Sequence, residues 1–219
     1  MPRSTTYRYL QSLRSYGLVE DDSSSGGFRL GSRVLQLARI ARKGLGLSEI
    51  AMPYMHDLAA KTGEAVLLTR RSGDQVVCVE RVESHHRIRL SYERGQVLPP
   101  HAGASAKVLL AWLPDEEIEA LLTNVPLTRY TDRTVIDPKR LRQQLQEIRA
   151  AGFAVSDGEV DHGVRGIAAP ITGLQGDVVA GLSTVGPAFR MDDRLLPRVV
   201  AATRQAAEAI SKRIVSLES

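Results

Sequence analysis

Arginine and short polar side chains alternate through the first part of the chain. Residues 1–19 contain three arginines and no carboxylate. In a helix, hydroxyl and amide side chains would share one side with the arginines, and such a side can contact phosphates and base edges. Another side carries an apolar stripe at helical spacing: Thr6, Leu10, Leu13 and Gly17. The pattern predicts an amphipathic helix whose polar side either meets water alone or contacts nucleic acid.

A second segment with the means to bind a ligand is Pro99-Pro-His-Ala-Gly-Ala-Ser-Ala-Lys107. Its small residues precede a helix that the sequence predicts to begin near Ser105. Backbone N–H groups at the start of a helix can bind a carboxylate or a phosphate, and small side chains let a ligand approach closely. The alternative is a tight strand-to-helix junction, which needs small residues only for packing.

Catalytic and metal-binding motifs are missing from the sequence. It has no Cys-x-x-Cys pair, no glycine-rich phosphate loop and no Gly-x-Ser-x-Gly elbow. The adjacent His85 and His86 lie in a polar turn without further metal ligands. The acidic residues near His162 are predicted to be solvent-exposed loop carboxylates: Asp157, Glu159 and Asp161. We therefore expect no enzymatic activity, no metal and no cofactor.

Positive charge is concentrated near the start of the chain. Residues 1–48 hold eight Arg or Lys and three acids, a balance of +5, so the remainder balances at −1 within the total of +4. This asymmetry favours a nucleic-acid-binding head on a neutral body. No apolar run reaches the ~18–20 residues that span a bilayer. Cys78 is the single cysteine, which excludes an intrachain disulfide and favours the cytoplasm.

Turn and periodicity signals predict the elements that position these segments. After the first helix come a strand at Leu18-Val19, a glycine-containing polar turn at 20–27 and a strand at 28–31, the order of a winged helix-turn-helix. Helices are predicted at 32–47, 47–61, 115 onwards, 139–150 and 194–216. Strands are predicted at 64–71, 75–82, 87–93, 153–156, 166–172 and 178–185. Hairpins interrupted by helices indicate an antiparallel α+β domain.

Several of these motifs together resemble the IclR family of bacterial transcriptional regulators. They are Pro2-Arg-Ser-Thr5, Gly26-Gly-Phe-Arg-Leu-Gly31, the segment at 99–107, Ser156-Asp-Gly-Glu159, Gly163-Val-Arg-Gly-Ile-Ala-Ala-Pro170 and Leu182-Ser-Thr-Val-Gly-Pro187. The resemblance covers nearly all of the chain, although family members carry two further helices ahead of the recognition helix, with which this chain begins. It implies a partial winged helix-turn-helix at 1–31, a linker and dimerisation helix at 32–47, and a GAF-like effector-binding domain at 48–219.

The resemblance also implies two sets of binding residues. DNA would be contacted by Arg3, Ser4, Thr5, Tyr7, Arg8, Gln11, Arg14 and Arg29, with residues 23–27 as the wing. A small-molecule effector would be contacted by Ala104, Ser105, Ser156, Gly166, Ser183 and Val185. Members that bind very small oxo acids have an acidic residue, a cysteine and a serine in place of Ser156, Gly166 and Val185. We therefore expect a roomier pocket for a larger carboxylate, either aromatic or derived from a sugar.

The resemblance implies an effector-responsive, DNA-binding transcriptional regulator that senses a small organic acid. It would act as a homodimer or a dimer of dimers, in the cytoplasm and without membrane contact. The alternative is a stand-alone GAF-like domain that binds a small molecule and has no DNA function. DNA binding distinguishes the two hypotheses, because a regulator must bind DNA and the stand-alone domain would not.

Overall fold

The protein is described by a computed structural model for residues 3–22, 26–43, 46–87, 90 and 92–218. Contacts divide the chain into two compact units, Met1–Gly46 and Leu47–Ser219. The predicted domain boundaries, between residues 31 and 32 and between residues 47 and 48, remain predictions. Within the described residues, no helix combines the length and the apolar character needed to cross a membrane.

The first unit consists of a helix, a hairpin and a second helix. Their bounds are α1, Arg3–Ser15; β1, Val19–Asp22; β2, Gly27–Leu30; and α2, Ser32–Lys43. After α1 the chain turns at Gly17, whose φ of 68° suits glycine. β1 and β2 pair antiparallel, and the Tyr7 ring meets Phe28 edge to face at 6.4 Å. The predicted helix and hairpin are present, but the turn predicted at 20–27 is too long, because residues 20–22 and Gly27 pair in the strands. Wing residues 23–25 lie outside the described residues.

The second unit contains the sheet. Its strands are β3, Ala65–Ser72; β4, Gln75–Val82; β5, Val97–Leu98; β6, Ala154–Asp157; β7, Val164–Thr172; and β8, Val178–Pro187. Its helices are α3, Leu47–Thr62; α4, Ala104–Leu110; α5, Asp115–Asn124; α6, Pro138–Ala151; and α7, Leu196–Glu218. The strand order is β5-β4-β3-β8-β7-β6, and every neighbouring pair is antiparallel.

Strand alternation gives the sheet two buried faces. Along β7, Ala169 and Ile171 pack with residues of α3 and α7, while Ala168, the residue before Ala169, packs with α4, α5 and α6. Successive side chains of a strand point to opposite faces, so helices cover both sides of the sheet. The predicted α+β class, with an antiparallel sheet flanked by helices, is confirmed.

One predicted strand is wrong. Among residues 87–93, those that the structure describes have no strand pairing. The chain rejoins the sheet only after a turn at Gly95, where Cys78 N–H donates to Gln96 O at 2.9 Å, and the two-residue β5 follows. The apolar alternation that suggested a strand has another cause, because Leu90 and Tyr92 pack onto the sheet from a loop.

The helix termini of α6 follow their sequence signals. The Asp137 side chain accepts a hydrogen bond from Lys139 N–H at 3.1 Å, and Pro138 occupies the first turn. Gly152 ends the helix with a left-handed φ of 78°. The predicted start and stop of this helix are therefore confirmed.

A buried hydroxyl pair between β8 and α7 allows a test of the packing. Thr184 Oγ1 and Thr203 Oγ1 lie 2.8 Å apart, and both residues are fully buried. Thr184→Val alone leaves the partner hydroxyl without its bond and should lower the free energy of unfolding by about 1–3 kcal/mol. Thr184→Val with Thr203→Val removes both polar groups and should recover most of that loss. Urea unfolding of four proteins, the wild type, the double variant and each single variant, measures this, and additive losses would contradict the pairing.

Candidate functional site

A cavity of about 510 Å³, including its opening to solvent, lies between the start of α4 and the sheet of the second unit. Most of its lining is apolar, with a few hydroxyl groups. The lining residues are Leu67, Tyr92, Leu98, Pro99, Ala102, Gly103, Ala104, Ser105, Ala106, Ser156, Val160, Asp161, Val164, Gly166 and Val185. Concave, largely apolar sites with a few polar groups are typical of small-molecule binding.

Strand register brings the sheet wall of this cavity together. Ser156 pairs with Gly166, and Gly166 pairs with Val185, so the three form one row across β6, β7 and β8. A Cβ atom on Gly166 would lie 3.6 Å from Cβ of Ala104 in α4. Glycine at this position therefore leaves room between the helix wall and the sheet wall of the cavity.

A hydroxyl pair joins the helix wall to the sheet wall. Ser105 Oγ lies 2.8 Å from Ser183 Oγ, and Ser183 is fully buried. Ser183 does not itself line the cavity. The other predicted effector residues all do: Ala104, Ser105, Ser156, Gly166 and Val185.

The loop segments supply lining residues that the sequence interpretation missed. Burial raises the pKa of the Tyr92 phenol to about 12, and the Asp161 carboxylate adds to this. The phenol is therefore a neutral group at physiological pH, able both to donate and to accept a hydrogen bond. Tyr92 could have been singled out as the aromatic residue of the segment at 87–93, but its alternation with Leu90 indicated a strand.

A buried ion pair lies at the junction of the helix and the loop. Lys107 Nζ donates to Glu159 Oε1 at 2.6 Å and to Gln144 Oε1 at 2.8 Å. Burial lowers the pKa of Lys107, while the Glu159 carboxylate opposes this effect. Glu159 Oε2 accepts the Gly103 N–H at 3.1 Å. Both oxygens of the Glu159 carboxylate therefore accept hydrogen bonds from groups that border the cavity.

Glu159 is a correction to the sequence interpretation. The residue is only 8% exposed, so the prediction of a solvated loop carboxylate is wrong for it. The physical reason is that two threonines draw the loop inward: Thr134 Oγ1 donates to Glu159 O, and Thr131 Oγ1 donates to Gly158 O, each at 2.6 Å. Asp161, in contrast, is exposed, as predicted.

Other titratable groups near the cavity have structural partners. Arg165 donates to Asp157 Oδ2 at 3.0 Å and to Asp193 Oδ1 at 2.8 Å, and the first of these bonds lowers the pKa of Asp157. Cys78 is fully buried, and burial raises the pKa of its thiol to about 11, in accord with the predicted inert cysteine. Over the part of the chain that is described, no three His, Cys, Asp or Glu residues are grouped as metal ligands.

The predicted DNA-binding residues lie in the first unit. Ser4, Tyr7, Arg8 and Gln11 are exposed on α1 and Thr5 is half-buried, whereas the side chain of Arg3 lies outside the described residues. Arg14 pairs with Asp21 at 2.8 Å, and Arg29 pairs with Glu20 at 3.4 Å. Both ion pairs are exposed and therefore weak, so phosphates can compete for these arginines.

The apolar stripe predicted for α1 is only partly buried. Leu10 is half-buried and Leu13 is 40% exposed. The described residues of the first unit therefore cover only part of this stripe. The ring contact of Tyr7 with Phe28 and the Arg14–Asp21 ion pair also join α1 to the hairpin.

Known proteins share both the sequence and the fold. The family model described as bacterial transcriptional regulator IclR C-terminal matches residues 41–212. The HTH-type transcriptional regulator KipR of Bacillus subtilis is 33% identical over 98% of this chain and 85% of its own length. A crystal structure of an IclR-type regulator from Silicibacter sp. TM1040 has a TM-score of 0.91 and 29% identity, covering 98% of this chain and 85% of that one.

A further solved structure includes a ligand. It is an IclR homolog from Microbacterium hydrocarbonoxydans in complex with 4-hydroxybenzoate. Its TM-score is 0.81 with 30% identity, covering 99% of this chain and 87% of that one.

The buried His101 makes stability depend on pH. Its ring is fully buried, Nε2 lies 3.1 Å from Thr128 O, and burial lowers its pKa. Below the ordinary histidine pKa of about 6.5, the unfolded chain takes up a proton that the folded His101 does not. Stability should therefore fall as pH drops below this value, by at most about 1.4 kcal/mol per pH unit from this group.

The matched variant for this test is His101→Gln, which keeps a donor for Thr128 O and cannot titrate. We expect a shallower loss of stability between pH 7 and pH 5 than in the wild type, measured by urea unfolding at each pH. Parallel stability profiles for the two proteins would show that His101 does not contribute.

Proposed function

Because this chain belongs to the IclR family of bacterial transcriptional regulators, we propose that its cavity binds a small organic acid whose presence changes DNA binding. The chain is a transcriptional regulator with a C-terminal effector-binding domain. The observation that carries the proposal is the shared row of Ser156, Gly166 and Val185 opposite Ala104 and Ser105, which forms one cavity from segments far apart in sequence.

The character of the lining favours an aromatic acid as the effector. A sugar-derived acid would bring several hydroxyl groups to be satisfied, and unsatisfied polar groups are costly to bury. The described lining offers mainly aliphatic contacts, with Ser105, Ser156 and Tyr92 as sources of hydrogen bonds. An aromatic ring with one carboxylate matches this distribution, and the homolog bound to 4-hydroxybenzoate supports the same class.

DNA binding is assigned to the polar side of α1. Ser4, Tyr7, Arg8 and Gln11 would approach the major groove, with Arg3 and Thr5 beside them. Arg14 and Arg29 would exchange their carboxylate partners for phosphates. The described surface of α1 also agrees with the positive charge at the start of the chain.

Assembly into a homodimer or a dimer of dimers is proposed to involve α2. Leu35 and Leu37 on this helix are 72% and 47% exposed, and Leu30 just before it is 74% exposed. Exposed apolar residues in such number are typical of interaction surfaces. In a dimer the effector would act by favouring one separation of the two reading heads, since a ligand shifts only an equilibrium between states that it binds differently.

The setting of this regulation is proposed to be the cytoplasm. The related proteins are transcriptional regulators. They therefore do not favour the alternative of a stand-alone binding domain without DNA function.

Gly166→Ala tests the effector pocket. The added methyl group would meet Ala104 and Val185 at 3.6 and 3.9 Å, which are ordinary contacts, and the φ of this glycine is not left-handed. We expect the variant to fold normally and to bind 4-hydroxybenzoate at least about tenfold more weakly, because the methyl group takes up space between the two walls of the pocket. Isothermal titration calorimetry measures the affinity, and thermal unfolding measures the stability.

The control for this test is Gly46→Ala, whose added Cβ atom meets nothing within 4 Å. It should bind 4-hydroxybenzoate as the wild type does. Equal affinity of Gly166→Ala and the wild type would contradict the assignment of the pocket.

Arg8→Ala tests the DNA-binding face. Fluorescence anisotropy with the DNA upstream of the protein's own gene, across a salt series, should show affinity that falls steeply with salt. Removal of one phosphate contact should weaken binding and reduce the slope of log affinity against log salt by about one. Arg213→Ala, on the exposed side of α7, is the matched control and should leave DNA binding unchanged.

The ligand provides an internal check on this variant. Arg8→Ala should bind 4-hydroxybenzoate as tightly as the wild type, because the cavity lies in the second unit. Absence of salt-sensitive DNA binding by the wild type would overturn the DNA-binding role of the described head, whatever the ligand does.

A further inference from the structure

The pocket is bordered by a buried ion pair that the effector cannot reach. Lys107 is 1% exposed and lies on α4, while Glu159 belongs to the loop between β6 and β7. Neither side chain lines the cavity. Their neighbours do, because Gly103, Ala104 and Ala106 precede Lys107, and Val160 and Asp161 follow Glu159.

The Glu159 carboxylate connects the two walls directly. One oxygen accepts from Lys107 Nζ at 2.6 Å, and the other accepts the Gly103 N–H at 3.1 Å. Gly103 is the capping residue immediately before α4, and its φ of 84° turns the chain into the helix. A Cβ atom on Gly103 would lie 3.3 Å from Cγ2 of Val160, so the loop already touches the helix start.

Burial of the two charges costs free energy unless each charged group has its full set of hydrogen-bond partners. A buried ion pair seldom adds much net stability, because the desolvation of both charges offsets their attraction. An apolar pair of similar volume would often be as stable. A contribution to stability alone therefore does not account for a lysine and a glutamate here, whereas the fixed position of Gly103 does.

We propose that the Lys107–Glu159 pair is the positioning element of the effector pocket, which holds the start of α4 against the β6–β7 loop through the Gly103 N–H and thereby sets effector affinity. This inference rests on the proposed effector function. Lys107 orients the carboxylate, Gln144 orients the ammonium group from α6, and the second carboxylate oxygen fixes the backbone at the pocket wall.

Two double variants separate position from charge. Lys107→Met with Glu159→Gln removes both charges but keeps an amide oxygen that can accept the Gly103 N–H. Lys107→Met with Glu159→Met removes the charges and the acceptor together, at similar side-chain volume. Neither protein leaves a buried unpaired charge, so urea unfolding should show only the modest difference in global stability that the unpaired Gly103 N–H causes.

Hydrogen exchange and affinity provide the readouts. At the Gly103 amide, exchange should be at least about tenfold faster in the Glu159→Met double variant than in the Glu159→Gln double variant, because only the latter retains the acceptor. The affinity for 4-hydroxybenzoate should fall at least about tenfold in the same protein. Equal exchange rates and equal affinities for the two double variants would overturn the proposal.

A control ion pair shows how a loss of global stability alone affects the affinity for the effector. Arg190 and Glu64 form a partly buried ion pair, with Nε to Oε1 at 2.5 Å and Nη2 to Oε2 at 2.8 Å, and neither residue lines the cavity. Glu64→Gln should lower global stability while it leaves 4-hydroxybenzoate affinity unchanged. A similar loss of affinity in this control would assign the effect to stability and refute positioning.

Two further outcomes, a variant that does not fold and a wild type that does not bind the ligand, can be distinguished from those above. If the Glu159→Met double variant does not fold, the exchanged pair Lys107→Glu with Glu159→Lys keeps opposite charges and also lacks an acceptor for Gly103, and should show the same faster exchange. If wild-type protein does not bind 4-hydroxybenzoate, the proposed effector class fails. The hydrogen-exchange comparison still decides whether the pair positions the wall.

Discussion

The antiparallel register of β6, β7 and β8 is the constraint on which the second unit depends. Residues in one row across these strands share a face, and the next row faces the opposite side. Ser156, Gly166 and Val185 therefore look toward α4, while Ile167 and Thr184, one residue away, look toward α7. A shift of one residue in this register would exchange the pocket wall for the hydrophobic core.

The electrostatic character of the pocket follows from what surrounds it. The charged groups nearest to its walls are neutralised by partners, Glu159 by Lys107 and Asp157 by Arg165. What the described walls present to a ligand is mainly aliphatic surface with hydroxyl groups of serine and tyrosine, while the carboxylate of Asp161 lies at an exposed position. Recognition by such a site depends on shape and on hydrogen bonds of defined direction.

Local signals were sufficient for most elements of the fold. Gly152 and Asp137 mark the ends of α6, and the Ser72-Gly73-Asp74 turn predicts the hairpin of β3 and β4, because capping and turn preferences act over a few residues. The alternation of Leu90 with Tyr92 was misleading, since residues that pack onto a sheet from a loop can show the same period as a strand. The structure also brings together five of the six predicted pocket residues, which the motifs had identified separately.

The ion pair of Lys107 and Glu159 could not be predicted in the same way. The two residues are separated by 52 positions, and their burial depends on threonines from yet another segment, Thr131 and Thr134. A glutamate in a glycine-containing loop has the local signature of a solvated residue. Only the tertiary packing shows that its carboxylate is enclosed, because no nearby residue in the sequence supplies its partner.

Strand β8 has a mechanical consequence for how the domain can respond to a ligand. Ser183 and Val185 belong to the pocket side of this strand, and Thr184 between them is joined to Thr203 of α7 on the other side. A backbone displacement that moves one of these residues necessarily moves its neighbours on the opposite face. A displacement of the β8 backbone at the pocket wall would therefore also displace Thr184 and its hydrogen bond to the closing helix α7.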